Sequence, residues 1–167
     1  MSSQTPYQVL CVCLGNICRS PTAEVVLRQH CDAGKLSVYI DSAGTSNYHP
    51  GKAPDLRSQQ HAQLRGYDLS RLRARQIQLQ DFMQFDLILA MDHDNLHDIA
   101  LLAEEAKQQW GTLRAQIALM SAHDPQYPNQ DVPDPYYGGA TGFERVLDQC
   151  ESSSRAWVAY FQQNSQV

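Results

Sequence analysis

The sequence predicts a single three-layer α/β domain built on a four-stranded parallel sheet. Three observations predict it. Four short apolar runs, residues 9–13, 36–40, 85–91 and 116–120, alternate with stretches of helical periodicity. Each run is followed by a helix rather than a hairpin turn, which calls for right-handed crossovers between parallel strands. No repeat, low-complexity tract or linker divides the 167 residues, so residues 1–167 are read as one domain with a core over about 7–162.

The first run, Val9-Leu10-Cys11-Val12-Cys13, suits a strand buried on both faces. Ser20-Pro21 has the residues of a helix start, with Ser as the cap and Pro at the first helical position. The tight loop between them holds Gly15 and Asn16, two residues that tolerate left-handed backbone angles. Such a loop can turn successive N–H groups inward as an anion-binding nest, and the positive end of the following helix adds to it. Cys13 enters this loop from the strand and Arg19 leaves it into the helix. A helix N-terminus beside a cation lowers a thiol pKa from its usual value of about 8.5, so Cys13 is expected to be a thiolate nucleophile. Ser20 is placed to donate its hydroxyl to that sulfur. The Arg19 guanidinium can grip two phosphate oxygens at once, as Lys cannot. A thiolate beneath a cradle for a three-oxygen dianion implies phosphoryl transfer to sulfur. The alternative is that Cys13 is only a buried strand cysteine.

The remaining elements follow in order. Residues 22–31 place Ala23, Val26 and Leu27 on one helical face, and Asp32-Ala33-Gly34 ends that helix. Residues 36–40 form the second strand, with 41–45 as a turn-rich exit in which Asp41 or Ser42 either braces the nest or forms a plain turn. The loop 46–54 is too long and polar for core, and its Tyr48 is either a binding contact or incidental packing. A helix from Asp55 to about Arg65 stops at Gly66. Arg57, Arg65, Arg71, Arg73 and Arg75 form the basic cluster, read mainly as a solvated face, with a substrate-attracting rim as the alternative. The third strand, 85–91, ends at Asp92, which either faces the same crevice as Cys13 or caps the next helix. After the fourth strand comes a loop at 121–141 rich in Pro, Asp and Tyr, then a helix at 142–162 that packs on the sheet. A flavodoxin-like strand order, 2-1-3-4, puts the reactive loop near the topological switch point.

Composition narrows the function. With 19% charged residues and a net charge of −5, nothing suggests a nucleic-acid partner. No apolar run approaches the roughly 20 residues of a membrane span, and the polar lead-in at residues 1–8 is no signal peptide. Five cysteines, an odd and sparse set, suit a reducing cytoplasm better than a disulfide framework. Cys11, Cys13 and Cys18 cluster, but without a C-x2-C pair or an H-x3-H partner they make a poor zinc cage. No metal and no other cofactor is expected.

Residues 12–21, Val-Cys-Leu-Gly-Asn-Ile-Cys-Arg-Ser-Pro, closely resemble the signature of the low-molecular-weight protein tyrosine phosphatases. The resemblance extends over residues 7 to 160, through the Asp41-Ser42-Ala43-Gly44-Thr45 segment, Ala74-Arg75-Gln76 and Met91-Asp92-His93-Asp94-Asn95-Leu96. It implies the phosphotyrosine phosphatase I-like fold and a metal-independent phosphatase acting on phosphotyrosine proteins and small aryl phosphates through a phosphocysteine, as a monomer or weak homodimer. The long loop offers Asp124, Asp131 and Asp134 as the acid that protonates the leaving phenolate, and spacing alone does not choose. The resemblance of Val132-Pro133-Asp134-Pro135-Tyr136-Tyr137 to the family's acid loop selects Asp134, with Asp131 second. It also implies catalytic roles for Cys13 and Arg19. Substrate contacts are implied from Leu14, Gly15, Asn16, Ile17, Cys18 and Ser20, and from an aromatic gate of Tyr48, Tyr136 and Tyr137.

Some points stay open. Cys18 either forms a reversible disulfide with Cys13 or packs beneath the loop, and Tyr136 or Tyr137 is a candidate phosphorylation target. Many relatives carry a His that braces the loop Asn, where this chain has Leu72 and Arg73, so the support of Asn16 is in question. Rival functions are disfavoured by particular residues. An arsenate reductase needs a resolving cysteine pair, and no cysteine lies between Cys31 and Cys150. Phosphoarginine phosphatases tend to carry Thr where Ile17 stands. A mere phosphoprotein binder has no need of both Cys13 and Asp134.

Overall fold

The computed structural model of the protein describes residues 5–136 and 138–164. Strand β1 (Tyr7–Cys13) lies between β2 (Val38–Gly44) and β3 (Leu87–Ala90), and β4 (Gln116–Leu119) pairs with β3. All pairs are parallel and the order is 2-1-3-4. The alternation of β1 explains its burial on both sides. Val9, Cys11 and Cys13 join one core cluster, while Leu10 and Val12 join the other.

Helices cover both faces. On the Val9 side, α1 (Arg19–Ala33) and α5 (Ala140–Asn164) pack together, bringing Val26, Leu27, Trp157 and Phe161 over the sheet. The Trp157 indole is buried, and its N–H donates to the Met120 carbonyl at 2.7 Å. On the Leu10 side, α4 (His93–Trp110) contributes Ile99, Ala103 and Ala106. Complete burial of side chains such as Leu10, Ile88 and Ile99 contributes roughly 1.5–3 kcal/mol each. Helix α2 (Leu56–Leu64) lies against α5. Among the described residues, no helix is long and apolar enough to cross a membrane.

Several boundaries differ from the sequence reading, each for a physical reason. The strand β1 begins at Tyr7, inside the supposed lead-in, because Tyr7 and Gln8 pair with Val38 and Tyr39. Likewise β2 runs through the supposed turn to Gly44, held residue by residue against the end of β1. Long-range register overrides the turn propensity of Asp41, Ser42 and Gly44. Helix α1 starts at Arg19, so Ser20 is not its cap; its hydroxyl is committed elsewhere. Only Asn16 of the reactive loop adopts positive φ, at 59°. A short helix, α3 (Asp81–Gln84), was not anticipated. Gly66, at φ 86°, does end the segment after α2.

Candidate active site

The loop between β1 and α1 sits where parallel strands end, at the place where the sheet order reverses. Cys13, the last residue of β1, is 3% exposed. Its sulfur lies 3.0 Å from the Ser20 hydroxyl and accepts the Asn16 backbone N–H at 3.3 Å. Among the described residues, the backbone N–H groups of Ile17, Cys18 and Arg19 donate to no protein acceptor. With the N-terminus of α1 behind them they suit an anion.

The direction of the hydrogen bonds around Cys13 follows from one backbone donor. The Arg75 N–H donates to Asn16 Oδ1 at 3.0 Å, which fixes the orientation of that amide. Asn16 Nδ2 must then donate, and it does so to Ser20 Oγ at 2.8 Å and Ser42 Oγ at 3.0 Å. Ser42 in turn donates to buried Glu24 at 2.7 Å. The Ser20 proton is left for Cys13 or for the Ala43 carbonyl at 3.3 Å. Leu72 and Arg73 therefore leave no gap in the support of Asn16. A main-chain donor two residues further on does the bracing.

Arg19 is almost wholly buried, and three residues from two segments surround its guanidinium. One nitrogen donates to Asp92 at 2.5 Å and to the Val132 carbonyl at 3.1 Å, and the other lies 3.6 Å from Asp134. Burial alone would lower the Arg19 pKa, but Cys13, Asp92 and Asp134 together raise it above its ordinary value. Asp92 combines both roles considered for it. One carboxylate oxygen caps α4 by accepting the Asn95 N–H at 2.7 Å, and the other grips Arg19.

Of the three candidate acids, only Asp134 lines the pocket with Cys13 and Arg19. Its side chain is 41% exposed, and it accepts the Tyr136 N–H at 3.0 Å in a local turn. Asp131 is instead bound to His93 at 2.5 Å, away from the pocket. Asp124 is buried under four donors, the hydroxyls of Ser152 and Ser153 and the N–H groups of Gln126 and Tyr127. Burial opposes its charge, yet those bonds hold its pKa below the usual carboxylate value. It is an anchor for the loop.

Leu14, Gly15, Ile17, Cys18, Tyr48 and Tyr136 also line the pocket, whereas Asn16 and Ser20 are buried behind it. Tyr137 lies outside the described residues. Sequence reasoning missed His49, whose ring stands between Tyr48 and Tyr136 with centroids 6.5 Å and 6.3 Å away. A Cβ on Gly15 would come within 3.1 Å of it, so the His49 ring packs directly on the reactive loop. Arg57 is exposed, as the solvated-face reading expects, yet it is also tied to other segments. It donates to the Tyr136 carbonyl at 2.8 Å, pairs with Asp55 and lies 4.8 Å from the Phe143 ring centroid. Arg75 pairs with Asp41 and Asp81, and Arg65 with Glu144, Asp148 and Glu151. These three arginines are structural ties. Among the other buried cysteines, desolvation pushes the Cys18, Cys31 and Cys150 thiols up to about 12.

Comparison with known proteins places this arrangement among relatives. Residues 8–167 match the family model described as low molecular weight phosphotyrosine protein phosphatase. A Homo sapiens protein named low molecular weight phosphotyrosine protein phosphatase is 42% identical over 160 residues, covering 95% of this chain and 98% of its own length. The crystal structure of a protein tyrosine phosphatase from Entamoeba histolytica superposes with a TM-score of 0.85 at 36% identity, covering 95% of this chain and 99% of that one. A drosophila arginine phosphatase structure also gives a TM-score of 0.85, at 31% identity, covering 92% and 97%.

Proposed function

The chain belongs to the low molecular weight phosphotyrosine protein phosphatase family, and from that premise we propose that it hydrolyses phosphotyrosine in proteins through a phosphocysteine on Cys13. The observation that carries this reading is the convergence of the Cys13 sulfur, the Arg19 guanidinium and the Asp134 carboxyl on one pocket. A phosphate dianion seated there is met by loop N–H groups and by the Arg19 fork. The Cys13 thiolate attacks phosphorus as the bond to the phenolic oxygen breaks, and protonated Asp134 delivers its proton to that oxygen. Asp134, now a carboxylate, takes a proton from water as the water oxygen attacks phosphorus. The S–P bond breaks, inorganic phosphate forms, and the departing thiolate recovers its bond from Ser20. Tyr48 and Tyr136 supply flat walls for a phenyl ring, with His49 between them. The same steps need neither a metal nor a cofactor. Location in the cytoplasm, and a monomeric or weakly dimeric state, belong to this proposal too.

Because a structural neighbour is named an arginine phosphatase, the substrate has to be tested directly. Ile17 lines the pocket with an apolar side chain, which supports the aryl ester over the guanidine phosphate. The test is steady-state hydrolysis of phosphotyrosine, phosphoarginine and an aryl phosphate in the presence of EDTA, with wild type and Cys13→Ser. Wild type should turn over phosphotyrosine and the aryl phosphate, and Cys13→Ser should lose at least about 10⁴-fold in kcat. Activity retained in Cys13→Ser, or a preference for phosphoarginine, would overturn the reading.

A further inference from the structure

Two residues at the start of α2 join the reactive loop to the acid loop. Asp55 caps the helix, its Oδ1 accepting the N–H groups of Arg57 and Ser58 at 2.8 Å and 3.4 Å. The Asp55 backbone N–H donates to the Ile17 carbonyl at 2.8 Å, which fastens the helix start to the reactive loop. The same carboxylate takes a fork from the Arg57 guanidinium, with Nε on Oδ1 at 3.2 Å and Nη2 on Oδ2 at 3.0 Å. Nη2 carries a second N–H, and it donates to the Tyr136 carbonyl at 2.8 Å. The guanidinium carbon also lies 4.8 Å from the Phe143 ring centroid and 5.7 Å from that of Tyr136, so two rings help to fix it.

Tyr136 passes the tie on to the acid. Its N–H donates to Asp134 Oδ1 at 3.0 Å. With Oδ1 engaged as an acceptor, the acidic proton belongs on Oδ2, the oxygen 3.6 Å from Arg19. A continuous path therefore runs from Ile17 through Asp55, Arg57 and Tyr136 to Asp134. Ile17, Tyr136 and Asp134 line the pocket, whereas Asp55 and Arg57 stand behind it.

Resting on the phosphatase reading, we propose that Arg57 is a positioning residue for the acid: by tying Tyr136 to the start of α2, it sets where the Asp134 carboxyl stands relative to the phosphate cradle. Arg57 touches no reacting atom, so its contribution is confined to steps in which Asp134 moves a proton. Proton transfer requires the heavy atoms to approach to roughly 2.6–3.2 Å, and small misplacements are costly. A carboxyl on a half-exposed loop keeps that approach only where the loop backbone is anchored. Lysine at position 57 would keep the charge but has no planar fork to serve Asp55 and Tyr136 together. The Arg57 side chain is 46% exposed, so its removal leaves no large cavity and the fold should persist.

The test compares kcat/KM, which reports the chemistry up to departure of the phenolate, for aryl phosphates whose phenols run from strongly to weakly acidic. Wild type, Arg57→Ala, Asp134→Ala and the double variant are assayed side by side. Arg57→Ala should lose about 10-fold with the least acidic phenols and less than about twofold with the most acidic. In the Asp134→Ala background the same substitution should cost less than about twofold with every ester, because no acid is left to position. Competitive inhibition by inorganic phosphate, which reads the cradle alone, should stay within about twofold of wild type. Arg57→Lys should show the same selective loss, about threefold, and decides by that pattern if Arg57→Ala does not fold. An equal loss for all leaving groups, a further loss on top of Asp134→Ala, or weakened phosphate inhibition would mark a general structural role and refute the proposal. An unchanged leaving-group dependence in Arg57→Ala would refute it too. Wild-type hydrolysis that Cys13→Ser abolishes keeps the phosphatase reading standing whichever way Arg57 behaves; if wild type hydrolyses no ester, both fall.

Discussion

The two loops that meet at the pocket are built on opposite plans. The reactive loop is short and inward-facing, and its polar side chains are bonded to one another: Asn16 alone ties together Arg75, Ser20 and Ser42. The acid loop is long and half-exposed. It is held at a few points, by Val132 between the Met91 carbonyl N-terminally and Arg19, by Arg57 on the Tyr136 carbonyl, and by Asp124 on α5. The difference matches their tasks. A nucleophile and anion cradle gain from fixed dipoles, which do not reorganise during reaction. An acid that must cover the substrate and then admit water gains from a loop that can open.

After the loss of the sulfur itself in Cys13→Ser, the largest effect should come from Arg19→Lys. It keeps a charge but loses the fork that holds Asp92, Val132 and the phosphate, so kcat/KM should fall by about 10²–10³-fold. A near-wild-type rate would show that the reactive loop does not depend on bidentate geometry. Next, Asp134→Ala should lower kcat by about 10²-fold or more for poor leaving groups and much less for good ones. Because Asp134 is exposed, its melting temperature should barely move. A variant that melted early would mean that the acid loop is structural after all.

Asn16→Ala should do both kinds of damage, since the Arg75 N–H loses its acceptor and the Ser20 and Ser42 oxygens lose their shared donor. A loss of about 3 kcal/mol by urea unfolding is expected, together with slower turnover. The smallest effects distinguish two of the buried carboxylates, Asp124 and Glu24. Asp124 has its pKa lowered on folding, so its stabilisation is complete above its unfolded value of about 3.9 and is lost as pH falls through the folded value. Glu24 has its pKa raised, chiefly by burial, against the bonds from Arg28 and Ser42. Its contribution is complete below about 4.3 and is lost as pH rises through the folded value. Unfolding free energies measured between pH 3 and 8 should therefore show Asp124→Asn flattening the acid limb and Glu24→Gln gaining on wild type as pH rises. Slopes of the reverse sign would contradict the assigned environments.

How much of this was legible in the sequence depended on where the signal lived. Apolar runs gave the four strands, their order came from likeness to the flavodoxin-type fold, and the spacing of Cys13 and Arg19 with Gly15 and Asn16 between them gave the nest. The acid needed the family resemblance, because three aspartates in one Pro-rich loop are locally alike. What distinguishes them is distant: Ser152 and Ser153 bury Asp124, His93 engages Asp131, and Asp134 is left at the pocket. The brace on Asn16 was illegible for a different reason. Its donor is a backbone N–H, which every residue but proline carries, so the identity of Arg75 announces nothing. His49 and Arg57 were missed because a loop residue and a helix-start arginine gain meaning only when another segment arrives beside them.

The ties on Arg19 also bear on how the protein is made. The strand and helix that carry Cys13 are synthesised well ahead of the Arg19 partners Asp92 and Val132, which follow 73 and 113 residues later. A buried guanidinium without partners is strongly unfavourable, so the emerging N-terminal segment has no stable version of this site. The surroundings of Cys13 thus depend on segments as distant as Val132 and α5, which packs on α1. A product truncated before Val132 should therefore carry Cys13 without the formed site around it.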